Sequence, residues 1–192
     1  MQRPSSLSPV IALVFVGAGL VLLAGVALFF LFVNPTDTIK GNNSAGQPSA
    51  IPMVVDFPAP DLQLTDLAGQ PVSLEEYRGL VVLVNNWATW CPPCKAEMPT
   101  LQAFYEDHRQ SGFSIIAVEA GEPVEQVAEF TRQMGLTFPV WPDPDQKLYD
   151  VFHNISLPTS WLINRDGQVV LTWTGAIDRQ VLEQYVTPLL EE

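Results

Sequence analysis

A run of β-branched residues that leads directly into two closely spaced cysteines constrains the fold of this chain more than any other feature. Residues 80–87 read LVVLVNNW, a continuous apolar run typical of a strand buried on both faces of a central sheet. Cys91 and Cys94 follow in the segment WCPPC and are the only cysteines among 192 residues. From Pro92 onward the apolar residues have helical spacing. The sequence therefore predicts a buried strand, a cysteine pair and a helix in direct succession.

Two cysteines at this spacing can be a structural staple, part of a metal site or a working redox pair. A disulfide across two intervening residues closes a very small loop and constrains the unfolded chain little. A zinc site needs two further ligands, but His108 and His153 are far apart and fit no zinc-binding spacing. The redox interpretation fits best, because a helix N-terminus stabilises the thiolate that attacks in disulfide exchange. Cys91 would then present an exposed sulfur that attacks a substrate disulfide, and Cys94, one turn into the helix and more buried, would resolve the mixed disulfide.

A long apolar segment precedes the globular part of the chain. Residues 10–33 contain no charged side chain, and about 20 apolar residues span a bilayer as a helix. The segment is longer than the apolar core of a signal peptide and lacks a small-residue cleavage site, so we predict an uncleaved, single-pass membrane anchor. Arg3 precedes it without any acidic residue, whereas Asp37 and then Lys40 follow it, which favours a cytoplasmic N-terminus (1–9) and an extracytoplasmic catalytic domain. The stretch 34–53, rich in Pro, Gly, Asn and Ser, predicts a flexible linker.

The charge balance limits the partners of the chain. All 21 acidic residues follow residue 33, together with eight of the nine basic ones, so this part carries a formal charge of −13. Such a surface repels nucleic acid and anionic lipid headgroups, and nucleic-acid binding is excluded. No glycine-rich dinucleotide-binding pattern occurs outside the apolar segment. We therefore predict no cofactor, and the electrons must come from another protein.

The globular part, residues 54–192, alternates predicted strands and helices. The predicted elements besides the first strand and its helix are a hairpin (62–74), a strand (112–120), a helix (123–135), the segment 137–141, a short helix (145–152), two strands (160–164 and 169–173) and a closing helix (178–190). This order predicts an α/β fold with a central mixed sheet and helices on both faces.

The segment NNWATWCPPCKAEMPTL resembles the active site of thioredoxin-fold proteins, and in particular of the membrane-anchored TlpA/ResA-like thiol–disulfide oxidoreductases. The segment FPAPDLQLTDLAGQPVSLEEYRG resembles the hairpin extension that precedes the core of that family, and SLPTSWLIN resembles the segment that carries its cis-proline. The resemblance covers the globular part of the chain. It implies a thioredoxin-like fold with an N-terminal β-hairpin extension, preceded by one transmembrane helix.

The same resemblance implies roles for residues outside the cysteine pair. It implies a cis peptide bond between Leu157 and Pro158, with Pro158 packed beside the cysteines. It also implies that Glu122 handles protons near the buried cysteine, alongside Cys91 and Cys94 as catalytic residues. A capping role for Glu122 at the next helix is the alternative, although glutamate is not a favoured N-cap residue. Glu119 is a weaker candidate for this role and is interpreted as a solvated charge or as a charge at the edge of the sheet.

A surface for protein substrates is predicted around the cysteines. We expect Trp90 to shape this docking surface, whereas Trp87 is expected to pack in the core and the role of Lys95 stays open. The predicted substrate-binding residues are Trp90, Pro92, Pro93, Leu157 and Pro158.

The two prolines between the cysteines predict the direction of electron flow. Pro92 and Pro93 lack N–H groups, so two amides of the first helical turn cannot donate to the Cys91 sulfur. Glu97 and Glu122 add negative charge nearby. A less stabilised thiolate means a lower reduction potential and a better reductant. We therefore predict a protein-disulfide reductase, and the resemblance implies apocytochrome c as a substrate in cytochrome c-type biogenesis and a membrane thiol relay as the electron donor.

Two other functions use cysteines in this kind of domain. A copper(I) metallochaperone for oxidase assembly is the main alternative, because soft thiolates suit copper(I). Related chaperones space their cysteines more widely and add a histidine, which this sequence does not do convincingly. A peroxidase is disfavoured, since peroxide-reactive cysteines sit in a P-x-x-x-T/S-x-x-C setting and NNWATWC lacks that proline.

Overall fold

The computed structural model describes residues 51–191. Within this range lie eight strands: β1 (Met53–Pro58), β2 (Gln63–Thr65), β3 (Pro71–Ser73), β4 (Val81–Trp87), β5 (Phe113–Glu119), β6 (Val140–Pro142), β7 (Thr159–Ile163) and β8 (Gln168–Thr174). The α-helices of this range are α1 (Pro92–His108), α2 (Val124–Met134), α3 (Lys147–Phe152), α4 (Arg179–Tyr185) and α5 (Thr187–Leu190), and two 3-10 helices span Leu74–Tyr77 and Arg109–Ser111.

Six strands form one mixed sheet in the order β1-β8-β7-β4-β5-β6. The strands β4, β5 and β6 are parallel to one another, whereas β7, β8 and β1 join through antiparallel pairs. The short strands β2 and β3 pair antiparallel with each other, and the Asp66 carboxylate between them accepts hydrogen bonds from the backbone amides of Ala68 and Gln70. The predicted α/β fold with a mixed central sheet is confirmed.

Both faces of the sheet are covered. All seven residues of β4 and all seven of β5 are buried, as their continuous apolar runs require. Successive side chains of a strand point to opposite faces, so Leu83 packs in one core with α1, α2 and α4, while Val82 and Val84 pack in the other with α3 and the β2–β3 pair. Helices therefore lie on both faces, as predicted.

The connection from β4 to α1 determines where the cysteines lie. The helix α1 begins immediately after the cap residue Cys91, with prolines in its first two positions. Proline is favoured there because its missing N–H would have no partner inside the helix. Since β4 is an internal strand of the sheet, this connection places the cysteine pair over the carboxyl end of the sheet rather than at its side.

Several elements differ from the sequence predictions. The strand β1 was not predicted, and it pairs antiparallel with β8 at the edge of the sheet. The closing helix divides at Val186 into α4 and α5, because Pro188 in the first turn of α5 has no N–H to continue the ladder. The helix predicted to begin at Pro123 begins one residue later, with Pro123 as its cap.

The predicted N-terminus (1–9), membrane anchor (10–33) and most of the predicted linker (34–53) lie outside the described residues. Between residues 51 and 191, no helix combines the length and the apolar character that a membrane crossing requires.

Candidate active site

Cys91 and Cys94 form a disulfide at the start of α1. The two sulfur atoms are 2.05 Å apart, and the Cα atoms are separated by 5.3 Å. Cys94 is fully buried, and Cys91 is 3% exposed. The sequence led us to expect an exposed Cys91 sulfur, and this detail is wrong, because Cys91 is packed in the hydrophobic core together with Cys94 in the disulfide form. Cys91 is nevertheless the more accessible of the pair.

The Cys91 sulfur has one backbone donor in the first turn of α1. The Cys94 amide donates to this sulfur across 3.3 Å. The two intervening residues, Pro92 and Pro93, occupy the first helical positions and have no N–H group to offer. A free N-terminal turn would expose further amides to the cap residue. The helix N-terminus therefore stabilises a Cys91 thiolate less than a turn without prolines would.

A buried carboxyl group lies one helical turn beyond Cys94. Glu97 is 2% exposed, and its carboxyl group accepts hydrogen bonds from the Asn85 side chain at 2.9 Å and the Ile177 amide at 2.9 Å. Asn85 also donates to the Ser160 hydroxyl. Burial raises the pKa of Glu97 to about 7, although these two hydrogen bonds oppose the rise. Glu97 can therefore hold or release a proton near neutral pH.

Sequence reasoning used Glu97 only as a nearby negative charge and missed its burial. The signal that could have found it is the spacing of α1, in which Glu97 shares a face with the buried Cys94, Leu101 and Phe104. A glutamate on the apolar face of a helix requires hydrogen-bond partners in the core. Because its charge is partial near pH 7, Glu97 opposes a Cys91 thiolate less than a fully ionised carboxylate would.

Glu122 lies on the loop between β5 and α2 and contacts the segment just before the cysteines. Its carboxylate accepts hydrogen bonds from the amide and the hydroxyl of Thr89, at 2.7 and 2.6 Å, and from the side chain of Gln126. Burial acts to raise its pKa, but the hydrogen bonds with Glu119, Thr89 and Gln126 together lower it. Glu122 is not the cap of α2, because Pro123 occupies that position.

The interpretation of Glu119 as a solvated charge was wrong. Glu119 is the last residue of β5 and is fully buried, because β5 lies between β4 and β6. One of its carboxyl oxygens accepts a hydrogen bond from the Glu122 amide at 3.0 Å. Burial, and secondarily the carboxyl group of Glu122, raises the pKa of Glu119 to about 8.

The predicted cis peptide bond between Leu157 and Pro158 is confirmed. Pro158 is buried, and its carbonyl accepts a hydrogen bond from the Gly175 amide at 2.8 Å, which joins the start of β7 to the end of β8. Leu157 is half-buried and lines a groove with Trp90.

This groove has a volume of about 140 Å³. We call it the Trp90 groove, and its lining residues are Asn86, Trp90, Ala120, Asp143, Gln146, Leu148, Tyr149, Ile155 and Leu157. Three of them expose large apolar surface, with Trp90 64%, Tyr149 45% and Ile155 71% exposed. A groove with exposed aromatic and aliphatic rims next to a reactive cysteine can bind an extended polypeptide.

The other predicted residues occupy less informative positions. Trp87 is fully buried and packs against Phe130, so its predicted core role is confirmed. Pro92 and Lys95 are exposed, and Pro93 is half-buried. Among residues 51–191, no three side chains of the metal-binding types lie close enough together to hold an ion.

Comparison with known proteins agrees with this arrangement. The AhpC/TSA family profile matches residues 55–172. Thiol-disulfide oxidoreductase ResA of Geobacillus kaustophilus is 37% identical over 134 residues, which cover 70% of this chain and 77% of that protein. ResA of Bacillus thuringiensis is 39% identical, with 70% of this chain and 78% of that protein covered. A crystal structure from Chlorobium tepidum, described as a thiol:disulfide interchange protein DsbE, has a TM-score of 0.67 and 31% identity over 70% of this chain and 96% of that one.

Proposed function

Because this chain belongs to the AhpC/TSA family and is a ResA-like thiol–disulfide oxidoreductase with a thioredoxin-like fold, we propose that it reduces disulfides in exported proteins, apocytochrome c among them. The observation that carries the proposed direction is the single backbone donor to the Cys91 sulfur. Strong oxidants owe their high potential to a stabilised reduced form. Pro92 and Pro93 remove two amide donors that could stabilise the reduced form. The reduction potential is therefore lower, which favours a reductase.

The reaction needs only the cysteine pair and a substrate disulfide. The Cys91 thiolate attacks one sulfur of the substrate, so that a mixed disulfide forms and the other substrate sulfur leaves as a thiolate. The Cys94 thiolate then attacks the Cys91 sulfur, which closes the Cys91–Cys94 disulfide and releases the second substrate thiol. Two electrons and two protons from an external dithiol donor restore the reduced pair. A membrane thiol relay is the donor that we propose.

Glu97 is suited to accept the proton of Cys94. Cys94 is fully buried, so water cannot readily take its proton when the mixed disulfide is resolved. Glu97 is three residues further along α1, and residues at this spacing are neighbours on a helix surface. A base with a pKa near the working pH is the most effective proton acceptor, and the pKa of Glu97 is about 7.

The Trp90 groove is the proposed binding site for the polypeptide around the substrate disulfide. We expect Trp90→Ala to raise KM for a protein disulfide such as insulin by roughly tenfold, because exposed tryptophans often dominate the binding energy of an interface. The rate with a small aromatic disulfide should stay unchanged, since that substrate does not need the groove. Steady-state kinetics with both substrates test this.

The matched control is Met53→Ala, which removes an exposed apolar side chain of β1 outside the groove. An equal loss of activity on both substrates in Trp90→Ala would contradict the docking role and indicate a disturbed cysteine pair instead.

We further propose that residues 10–33 hold the domain at the cell membrane, with the catalytic part on the extracytoplasmic side. The support is the uncharged 24-residue segment and the position of Arg3 before it. A reductase on that side needs electrons from the cytoplasm, which is why a membrane thiol relay belongs to the proposal.

The reduction potential tests the proposed direction. We expect a value below about −200 mV for the native pair, well apart from the roughly −120 mV of strong oxidants. Pro93→Ala restores one amide donor to the first turn, and one hydrogen bond of about 1.4 kcal/mol should raise the potential by roughly 30 mV. Equilibration with glutathione or dithiothreitol buffers measures both values.

Pro99→Ala is the control for this substitution, because Pro99 is an exposed proline of the same helix beyond its first turn. A native potential near −120 mV would overturn the reductase proposal. A tight stoichiometric copper(I) complex without insulin reductase activity would instead favour the metallochaperone function.

A further inference from the structure

Two glutamates of the β5–α2 connection lie against each other in the interior. Glu119 is fully buried and Glu122 is 8% exposed. The Glu122 amide donates to one carboxyl oxygen of Glu119 at 3.0 Å, and the two carboxyl groups are themselves within hydrogen-bonding range. The other Glu119 oxygen is buried and, within residues 51–191, has no donor. A proton on this oxygen would let it donate to the Glu122 carboxylate and would so give it a hydrogen-bond partner.

Glu122 connects this pair to the segment that carries Cys91. Thr89, two residues before Cys91, donates both its amide and its hydroxyl to Glu122, at 2.7 and 2.6 Å. Gln126, in the first turn of α2, donates to the Thr89 hydroxyl at 3.0 Å and also to Glu122. One carboxylate therefore joins the segment after β4, the loop after β5 and the start of α2.

The charges around the pair are acidic. Asp143 directly follows β6, is fully buried and adds negative charge near Glu119. Its carboxylate oxygens accept hydrogen bonds from the backbone amides of Lys147 and Leu148. Within the described range, no lysine, arginine or histidine side chain makes an ion pair or hydrogen bond to Glu119, Glu122 or Asp143. Two ionised carboxylates in contact without a cation are strongly disfavoured in the interior.

We propose that Glu119 and Glu122 share one proton and that this carboxyl pair is a positioning device for the redox segment Thr89–Cys91. Glu119 carries the proton, and Glu122 stays ionised and holds both donors of Thr89. This inference rests on the proposed disulfide exchange at Cys91, but it does not depend on whether the protein reduces or oxidises its substrates. A failure of the reductase proposal would therefore leave it intact.

The titration of Glu119 supports this division of roles. Burial raises its pKa to about 8, whereas the hydrogen bonds to Glu122 lower the pKa of that group. As pH rises through about 8, Glu119 becomes ionised beside Glu122. The repulsion between them should displace the loop after β5 and weaken the hold of Glu122 on Thr89. A raised pKa in the folded protein also means that stability is lost as pH rises through that value.

Glu119→Gln tests the proposal, because glutamine keeps an acceptor for the Glu122 amide and a donor for its carboxylate but cannot ionise. The measurement is the second-order rate constant for reduction of the Cys91–Cys94 disulfide by dithiothreitol, from pH 6 to 9.5. We expect the ratio of variant to native rate constants to be near one at pH 6 and to rise by roughly threefold or more at pH 9.5, because a misplaced reacting group is costly. A ratio that is constant over this range would overturn the proposal.

The control is the same comparison in a Glu97→Gln background, since Glu97 also titrates near neutral pH. The alkaline rise should persist there, and its disappearance would assign the effect to Glu97. If Glu119→Gln does not fold, Thr89→Val and Thr89→Ser provide the second test. Loss of rate in Thr89→Val with recovery in Thr89→Ser supports the link from Glu122 to Thr89, and unchanged rates in both contradict it.

Discussion

A Cys94→Ala variant of the full chain is expected to accumulate mixed disulfides with its substrates in cells, while its disulfide reductase activity falls at least roughly a thousandfold. Cys91 is the more accessible sulfur, at the cap of α1, and can still attack. Without the Cys94 thiolate behind it, the mixed disulfide has no internal nucleophile to release it. Gel electrophoresis without reductant, followed by mass spectrometry of the shifted bands, identifies the trapped proteins.

Cys91→Ala is the matched control, because it removes the attacking sulfur and leaves the resolving one in place. We expect it to be equally inactive but to trap nothing, since Cys94 is fully buried. Trapped apocytochromes would support both the proposed substrate and the extracytoplasmic location. Bands that persist in Cys91→Ala, or trapped proteins that are all cytoplasmic, would contradict the roles of the cysteines or the location.

Glu97→Leu is expected to lower the free energy of unfolding by about 3 kcal/mol, because it leaves buried donors without an acceptor. The affected donors are the Asn85 side chain and the Ile177 amide, both 2.9 Å from the carboxyl group. Glu97→Gln keeps an acceptor and should lose only about 1 kcal/mol. Urea denaturation of the oxidised proteins at pH 6 measures both changes.

The pH dependence separates the charge of Glu97 from its hydrogen bonds. Because burial raises its pKa from an ordinary 4.5 to about 7, the native protein binds a proton that the unfolded chain releases. Its contribution to stability is present below pH 4.5 and is lost as pH rises through about 7. Glu97→Gln should lack this fall, so the stability difference between the variant and the native protein changes over this window. A constant difference would contradict a buried, titrating Glu97.

The elements with strong local signals could be predicted from the sequence. The β-branched run of β4, the prolines at the start of α1 and the cysteine spacing each determine structure over a few residues. The edge strand β1 gives no such signal, because five of its six residues are exposed and only Val55 is half-buried. Its partner β8 is more than a hundred residues away, and an irregular register interrupts the pairing.

The buried acids could not be found from residue type alone. A glutamate at the end of a strand is normally assigned to solvent, since charged residues are rarely fully buried. Glu119 departs from this because β4 and β6 flank β5 and because the loop after β5 folds back to bring Glu122 against it. The Glu97 site likewise depends on Ile177, 80 positions along the chain. Such partners are set by the tertiary fold.

The edge position of β1 would separate the proposed membrane attachment from the chemistry of the domain. Met53 is the first residue of β1, which lies three strands away from β4 in the sheet. The lateral distance between these two strands is roughly 14 Å. With the proposed anchor at residues 10–33, lengthening or shortening the chain ahead of Met53 would change how far the domain can reach from the membrane, while the electron-exchanging sulfurs keep their surroundings. Reach and reactivity can thus be engineered independently.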